Sequence, residues 1–534
     1  MKRGSSWSIL AVSVVVLASL GGCKRKEPGS GSPADPPRGA PAVPEARGTL
    51  LVKGAAADLR VSPDGKFASY LLETRKPAVD GIPAQMLAGD AWVVSTSGGE
   101  PRKLGKGVTN APGGLLFTPD SRAVLFVSPY DPRQQMGPLH ALSLAEPQAE
   151  PVRLGEAVTY VVPSADGAQL AFVDAGVLKL GPSPRGPFRD VAGEVSTAQF
   201  SPDGKTLYFK RQLSAAGGLN AVSVSGTGAP KKLGEQVGDY AISPDSRRVA
   251  FQVRSREVRG TFELMVASLP ALEPVQVAKG TANFAFSPDG HWLGRNEGGR
   301  PELVGDLFVG PATGGAGKKI AERVMDFAFA PDSKAVAYLD HWDEGARAGL
   351  MGVAALPAGV HKRLGGRAPN FAWGADSQYV AFLSRFLKPM YSVDLMLYRM
   401  GEDAAVKAQP GVFGYSFTEK NESLLFRAGC VRNGRECELQ SIPLPRKEGP
   451  PETWVSKLFT YRPSEDGTRY LATFARMDSE THDLAVFDVK TRTLKRVDQG
   501  TQLPALFAAK DGSKLVYLIT RGDRAGVYTS SVAF

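Results

Sequence analysis

The stretch Asn283–Trp292, N-F-A-F-S-P-D-G-H-W, decides the fold of this chain. Apolar and small residues alternate up to Phe286, and the S-P-D-G segment at 287–290 then favours a tight turn. Pro suits the first central position of such a turn, Asp can bond its own backbone, and Gly tolerates positive φ. One strand therefore ends at this turn and another begins.

The same turn recurs along nearly the whole chain. Asp245, Asp289, Asp332 and Asp376 follow one another at intervals of 44, 43 and 44 residues. A period this regular is a better guide to architecture than the length of 534 residues. The aspartate position is occupied by Asp64, Asp120, Asp166, Asp203, Asp245, Asp289, Asp332, Asp376, Asp466 and Asp511, and a degraded copy lies at Glu419–Asn421.

Each period has room for four short strands separated by turns. The repeat around Asp245 shows them at Asp239–Ser243, Arg248–Val253, Phe262–Ser268 and Pro274–Ala278. Four strands per repeat predict the blade of a β-propeller, so the fold class is all-β, with about eleven four-stranded blades. Second strands should be buried between blades; they include Val249-Ala250-Phe251, Val336-Ala337-Tyr338 and Val380-Ala381-Phe382.

The two ends of the repeat region are predicted to complete one blade together. The last repeat offers three strands, whereas Thr49–Lys53 resembles a fourth strand and precedes the first turn. We expect Thr49–Lys53 to close the last blade. Rings usually contain about four to eight blades, which favours two propellers. Closure across the termini favours one wide ring instead, and of these two arrangements we expect two propellers.

The pattern F-S-P-D-G-K-T-L-Y-F at Phe200–Phe209 resembles the WD40-like repeat of TolB-type propellers. The resemblance covers roughly residues 49–534 and implies protein contacts in the periplasm. The same repeat also occurs in propellers attached to prolyl-oligopeptidase-type enzymes. The chain departs from TolB because a short tether replaces the α/β domain that TolB carries before its propeller, and because TolB is not lipidated.

The amino-terminal residues predict a lipid anchor. Residues 1–22 have a positively charged start and the apolar run Ile9–Leu20, which is typical of a signal peptide. The segment Leu20–Cys23 resembles a bacterial lipobox, which implies acylation of Cys23; the alternative is an ordinary secretory signal with a chance cysteine. In that family a residue such as Lys24 implies transfer to the outer membrane, facing the periplasm or the exterior.

Residues 23–48 are rich in Pro and Gly and predict a flexible tether, after which residues 49–534 hold the repeats. The protein is thus expected in the bacterial cell envelope, attached to the membrane through its N-terminal lipid.

Two further cysteines, Cys430 and Cys437, flank the hairpin signal Asn433-Gly434. A two-residue turn places them opposite each other as a hydrogen-bonded pair, about 5.5 Å apart at Cα. We predict a structural disulfide, which an oxidising compartment permits; free thiols are the alternative. A metal site is not expected here, because no histidine lies beside them.

The sequence shows no catalytic motif. It lacks the G-x-S-x-G nucleophile turn, a phosphate-binding glycine loop and closely spaced histidines. We therefore predict no enzyme activity, no metal and no cofactor. The net charge of +10 raises the possibility of nucleic acid, but the cations recur late in each repeat, as at Lys231 and Lys232. Charges there protect edge strands, so no nucleic-acid partner is predicted.

One constellation is a candidate binding site. Six polar residues stand six positions before the turn aspartate. If the strand that they begin is innermost, they ring one mouth of the central channel and could receive a basic peptide segment or a cation. The alternative is that they cap strand starts and fix turns. These residues are Asp58, Thr197, Asp239, Asn283, Asp326 and Asn370.

The function predicted from these features is a non-catalytic, lipid-anchored scaffold that binds an envelope protein or peptide. A glycan- or peptidoglycan-binding propeller is one alternative, for which only Trp342, in the polar loop His341–Glu344, offers a suitable aromatic platform. A propeller lyase or hydrolase with a site at a channel mouth is the other.

Overall fold

The structure, a computed structural model, describes residues 47–79, 83, 85–146, 148–211, 218–257, 260–298, 304–357, 359–385, 393–431, 434–464, 466–476, 481–501, 506–508 and 514–532. The predicted signal peptide and the lipidation site Cys23 lie outside these residues. Throughout the described ranges the named elements are β-strands. They include no helix long and apolar enough to cross a membrane.

The 43 strands found among the described residues form antiparallel sheets, which make up eleven blades there. Blades 1 to 4 contain β2 (Ala57–Val61), β3 (Phe67–Arg75), β4 (Ala88–Ser95) and β5 (Arg102–Thr109); β6 (Leu115–Phe117), β7 (Ala123–Val127), β8 (Gly137–Ser143) and the start of β9 (Val152–Pro163); the end of β9, β10 (Gln169–Asp174), β11 (Val177–Pro182) and β12 (Arg189–Ala192); and β13 (Val195–Phe200), β14 (Thr206–Arg211), β15 (Gly218–Ser223) and β16 (Lys231–Gly234).

Blades 5 to 8 follow the same order. They contain β17 (Val237–Ile242), β18 (Arg248–Arg254), β19 (Phe262–Ser268) and β20 (Glu273–Ala278); β21 (Thr281–Phe286), β22 (Trp292–Glu297), β23 (Gly305–Pro311) and β24 (Lys318–Val324); β25 (Asp326–Phe329), β26 (Ala335–Asp343), β27 (Ala348–Ala355) and β28 (Val360–Ala368); and β29 (Phe371–Trp373), β30 (Tyr379–Arg385), β31 (Val393–Arg399) and β32 (Val406–Gln409).

Blades 9 to 11 complete the chain. They contain β33 (Gly414–Phe417), β34 (Ser423–Val431), β35 (Glu436–Pro443) and β36 (Glu452–Leu458); β37 (Thr460–Pro463), β38 (Arg469–Ala475), β39 (His482–Asp488) and β40 (Thr493–Thr501); and β41 (Leu506–Ala508), β42 (Leu515–Ile519), β43 (Gly526–Ser530) and β1 (Thr49–Lys53). The strand β9 pairs with β8 on one side and β10 on the other, so blades 2 and 3 share it.

The S-P-D-G turns are held by their own side chains. Ser287 Oγ donates to Asp289 Oδ1 at 2.6 Å and accepts the Trp292 N–H at 2.9 Å. Gly290 follows with φ of +74°. A Cβ there would lie 2.8 Å from the Asp245 Cγ of the preceding blade, so glycine meets both a local and a packing requirement. The predicted reading of this turn as a bend inside a blade is confirmed.

The core lies between blades. The predicted second-strand segments are buried; in β18 these are Val249, Ala250 and Phe251. Ala250 of blade 5 packs in one cluster with Phe286 and Leu293 of blade 6, so neighbouring sheets pack face to face. Burial of this kind stabilises a blade only when its neighbour is present.

The predicted closure across the two ends of the repeat region is confirmed. Strand β1 pairs antiparallel with β43, and Thr49 lies opposite Thr529 and Lys53 opposite Gly526. The main contacts between described strands of different blades join consecutive blades, and β2 of blade 1 contacts β41 and β42 of blade 11. These contacts follow one circuit, as closure across the termini predicts, rather than the two circuits of a two-propeller arrangement. The fold is an all-β propeller.

First strands lie at the centre and fourth strands at the rim. Trp373 Nε1 of β29 donates to the Ala328 oxygen of β25 at 3.0 Å, and the Ser416 and Tyr461 hydroxyls of β33 and β37 are 2.9 Å apart. First strands of neighbouring blades are thus close enough for direct side-chain bonds. Fourth strands carry the predicted basic segments, and Arg492 beside β40 pairs with Glu452 of blade 9 at 2.8 Å.

The predicted disulfide between Cys430 and Cys437 is present, with a Cα–Cα distance of 4.0 Å. This is shorter than the distance expected for a hydrogen-bonded pair. The pairing of β34 with β35 shifts register between Ala428 and Val431, where Gly429 has φ of +59°. A bulge at this glycine therefore changes the local register. Asn433, the first turn residue, lies outside the described residues.

Candidate functional site

Of the six polar residues predicted to mark a channel mouth, Asp326 begins its first strand and Asn370 directly precedes β29. The other four lie at the second or third position of their first strands. Asp58 lies in blade 1, and the other five lie in the consecutive blades 4 to 8. Their equivalent positions in neighbouring first strands support the prediction that these five line one end of the channel over a continuous arc, which stays a prediction, and Asp58 lies apart from them. We call this arc the mouth arc; it consists of Thr197, Asp239, Asn283, Asp326 and Asn370.

Asp326 has the most unusual environment of the arc. Its side chain is exposed to solvent, yet burial by the surrounding protein raises the pKa of its carboxyl, and the backbone N–H of Phe327 only partly offsets this. The Asp326 carboxylate can be exposed and desolvated at the same time only if the water that reaches it is confined by surrounding protein. A channel supplies that arrangement, because water reaches the carboxylate while protein surrounds it. We therefore take Asp326 as a channel group in contact with water.

Asp239 has a cation close to it. Lys210 Nζ of the preceding blade donates to the Gly238 oxygen and lies 5.5 Å from the centre of the Tyr240 ring. Burial lowers the pKa of Lys210, and the Asp239 charge partly opposes that shift. This part of the arc is consequently close to neutral rather than strongly acidic.

Asp58 serves the structure. Its carboxylate is 3.0 Å from Arg60 Nη2, and Arg60 also donates to the backbone oxygens of Leu115 and, at 3.4 Å, Asn110. Burial raises the pKa of Asp58, and Arg60 opposes that shift. The pair joins blades 1 and 2. Asp58 therefore fits the alternative stated for all six residues, that they fix the starts of strands.

Tyrosines on the first strands were not part of the predicted site. Tyr415 donates to the Ala381 oxygen at 3.0 Å, and its hydroxyl lies 3.5 Å from Asn370 Oδ1. The Tyr461 hydroxyl lies 2.9 Å from Ser416 Oγ, and burial raises the pKa of the Tyr461 hydroxyl. A signal existed in the sequence, because the residue five positions before the turn aspartate is often aromatic: Tyr240, Phe284, Phe327, Phe371 and Tyr461.

The predicted aromatic platform at Trp342 is wrong. Strand β26 continues to Asp343, and the Trp342 side chain is only 9% exposed within a hydrophobic cluster. A sugar ring needs an open aromatic face, and Trp342 does not provide one. His341 lies beside the buried Asp340, with 3.4 Å between Nδ1 and Oδ1.

No group of three or more His, Cys, Asp or Glu within the described ranges is placed to hold a metal ion. The absence of a metal and of a cofactor stays a prediction.

No protein-family model matches the chain, and no curated protein matches it. Among solved structures, a eukaryotic initiation factor is 13% identical, with a TM-score of 0.41, over 68% of this chain and 94% of that one. Tricorn protease is 14% identical, with a TM-score of 0.30, over 90% of this chain and 57% of that one.

The β-propeller domain of Cps50 (Swd1) from Myceliophteria thermophila is 11% identical, with a TM-score of 0.28, over 56% of this chain and 96% of that domain. At such low identity these likenesses concern the fold, and function must be argued from the residues of this chain.

Proposed function

We propose that this protein is a non-catalytic scaffold of the bacterial envelope, attached to the membrane through Cys23, which binds a positively charged peptide segment at the mouth arc. The observation that carries the proposal is the environment of Asp326. Within the described ranges no ion pair to this carboxylate is formed, although the protein around it raises its pKa. A charge held in such surroundings lowers stability, and sites of this kind are typical of function.

A lysine or arginine of a bound peptide would supply the partner that Asp326 lacks among the described residues. The neighbouring groups suit an extended peptide, because Asn283, Asn370 and Thr197 offer hydrogen bonds and Tyr240 offers an aromatic ring that already faces one cation. The TolB-type repeat pattern at Phe200–Phe209 supports a periplasmic protein as the source of the peptide.

The test is the binding of a fluorescent Lys/Arg-containing peptide to the mature chain, measured by anisotropy. Asp326→Asn should weaken binding by about tenfold or more, since charge-assisted hydrogen bonds contribute roughly 1.5–3 kcal/mol and about 1.4 kcal/mol is tenfold. Asp403→Asn is the matched control, because this fully exposed carboxylate lies at the rim and pairs only loosely, at 3.4 Å, with Lys362. Equal losses in both variants, or no loss in either, would refute the proposal.

The pH dependence follows from the raised pKa of Asp326. As pH falls, this carboxyl becomes protonated at a higher pH than a carboxyl at its ordinary value of 3.8, so peptide affinity should fall first through this group. The folded state also binds the proton more tightly than the unfolded state. The charged carboxylate therefore lowers the stability of the fold once the pH rises above the ordinary carboxyl pKa of 3.8, and does so fully above the raised pKa of the folded state. Asp326→Asn should therefore raise the melting temperature at neutral pH while weakening peptide binding, a combination that a purely structural role does not produce.

A further inference from the structure

A second polar cleft lies at the seam between blades 10 and 11, far along the chain from the mouth arc. Its volume is about 450 Å³, within the range of small-ligand sites. Four guanidinium groups and two carboxylates line it: Arg47, Arg476, Asp498, Arg521, Asp523 and Arg524. We call it the seam cleft.

The back wall of the seam cleft is a satisfied ion pair. Asp498 is fully buried, and Arg524 Nη2 lies 2.7 and 2.8 Å from its two oxygens. Tyr517 donates its hydroxyl to the same carboxylate, and the Gly48 N–H approaches it at 3.4 Å. Asp498 and Arg524 thus neutralise each other and hold the start of the described chain against blade 10.

The front of the cleft is positively charged. With Asp498 neutralised by Arg524, three guanidinium groups remain at the lining against two carboxylates, that of Asp523 and that of Asp483, which pairs with Arg476. Arg47 and Arg521 have partners within the chain. Arg476 is about half exposed, and its Nη1 lies 3.4 Å from Asp483 Oδ1, an oxygen that also accepts the Gly500 N–H at 3.2 Å. Because this pairing is loose, the Arg476 guanidinium can still donate hydrogen bonds to a better-aligned anion.

We infer that the seam cleft binds an anion of the phosphate class, with Arg476 as the principal contact. Planar guanidinium groups recognise phosphate oxygens through two parallel hydrogen bonds. The anion is either free phosphate or the phosphate of an anionic lipid headgroup. The second source is close to the cleft, because Arg47 lies near the end of the predicted tether, residues 23–48, whose typical reach is about 25–30 Å from a lipidated Cys23.

Two probes separate these sources, inorganic phosphate and vesicles that contain phosphatidylglycerol. Phosphate stabilises folded proteins in general because it is excluded from their surface, so the comparison is with Arg476→Gln. The melting temperature of the mature chain should rise more in phosphate, relative to chloride of equal ionic strength, than that of the variant. Co-sedimentation with the vesicles, compared with vesicles of phosphatidylcholine alone, identifies a lipid headgroup. Binding in either arm supports the inference and names the source, and binding in neither overturns it.

The variant test uses a matched charge change in one blade. Arg476→Gln should weaken phosphate or vesicle binding by about tenfold, whereas Arg496→Gln, on the exposed part of β40, should leave it unchanged. Arg476→Lys keeps the charge without the fork and should be intermediate, which guards against a folding defect in the glutamine variant. Equal losses for Arg476→Gln and Arg496→Gln would overturn the inference. Asp326→Asn should not alter phosphate binding, so the two proposals can fail separately.

Discussion

The turn position after the repeat aspartate is occupied by glycine or by serine at the intact turns, and contacts with the preceding blade account for the choice at several of them. Where it is serine, its hydroxyl oxygen accepts a hydrogen bond from a backbone N–H of the preceding blade; the Asp203 N–H donates to Ser246 Oγ at 3.0 Å. Where it is Gly290, a Cβ would approach the Asp245 Cγ to 2.8 Å. The serine bond recurs between Asp64 and Ser121, Asp289 and Ser333, and Asp332 and Ser377.

Replacing Ser246 tests this link between blades. Ser246→Ala removes the acceptor of the Asp203 N–H and keeps a Cβ at φ of +60°, so we expect a loss of about 1 kcal/mol in the free energy of unfolding. Ser246→Gly removes the same acceptor but relieves the left-handed backbone, which offsets about 1 kcal/mol. Denaturant unfolding should rank the alanine variant below the glycine variant. The exposed Ser225→Ala serves as the control, and an alanine variant as stable as Ser246→Gly would contradict the account.

Among the elements, the hairpin of β34 and β35 depends most on a covalent bond. Near its end Val431 is 55% exposed and Phe413 is 45% exposed, so little burial holds the tip. Reduction of Cys430–Cys437, whose sequence separation is 7, should lower the free energy of unfolding by roughly 2–3 kcal/mol. Urea unfolding with and without dithiothreitol measures this. The double variant Cys430→Ser, Cys437→Ser should unfold at the same urea concentration as the reduced protein, with or without dithiothreitol. An unchanged unfolding midpoint on reduction of the natural chain would contradict this prediction.

The elements also show which features local sequence encodes. Alternation and S-P-D-G chemistry act within a few residues, which is why the strands, the buried second strands and the closing role of Thr49–Lys53 were predictable. The bulge at Gly429 and the burial of Trp342 were not, because each depends on how far a strand continues after its regular pattern ends. The structural role of Asp58 was missed for a related reason, since the bond from its partner Arg60 to the Leu115 oxygen depends on the approach of blade 2 to blade 1.

Over the whole molecule, stability follows from contacts between neighbours. Each blade buries its faces against the next, so the repeat array resembles a linear stack whose two ends have been joined. The join uses the β1–β43 pairing and the buried cluster of Asp498, Arg524 and Tyr517. Position along this ring, rather than any single repeat, creates the mouth arc and the seam cleft, which is why neither could be located fully from one repeat.

The closing strand can be tested by truncation. A chain beginning at residue 47 keeps β1, whereas a chain beginning at residue 55 lacks it and leaves β43 as an open edge. The shorter chain should lose about 3 kcal/mol or more, because it loses the partly buried Leu51 and Val52 and the strand hydrogen bonds. It should also aggregate through the open edge, which light scattering would detect.

Moving the closing strand to the other terminus shows whether the lost stability comes from the missing strand itself or from shortening the chain at its N-terminal end. The segment 49–53, joined after Phe534 through a flexible linker to the chain that begins at residue 55, can fold back antiparallel to β43 and occupy the same edge. The melting temperature of this permuted chain should return most of the way to that of the chain beginning at residue 47. If both truncated chains melt together, or if the relocated strand restores nothing, β1 does not close the ring energetically and the blades hold together without it.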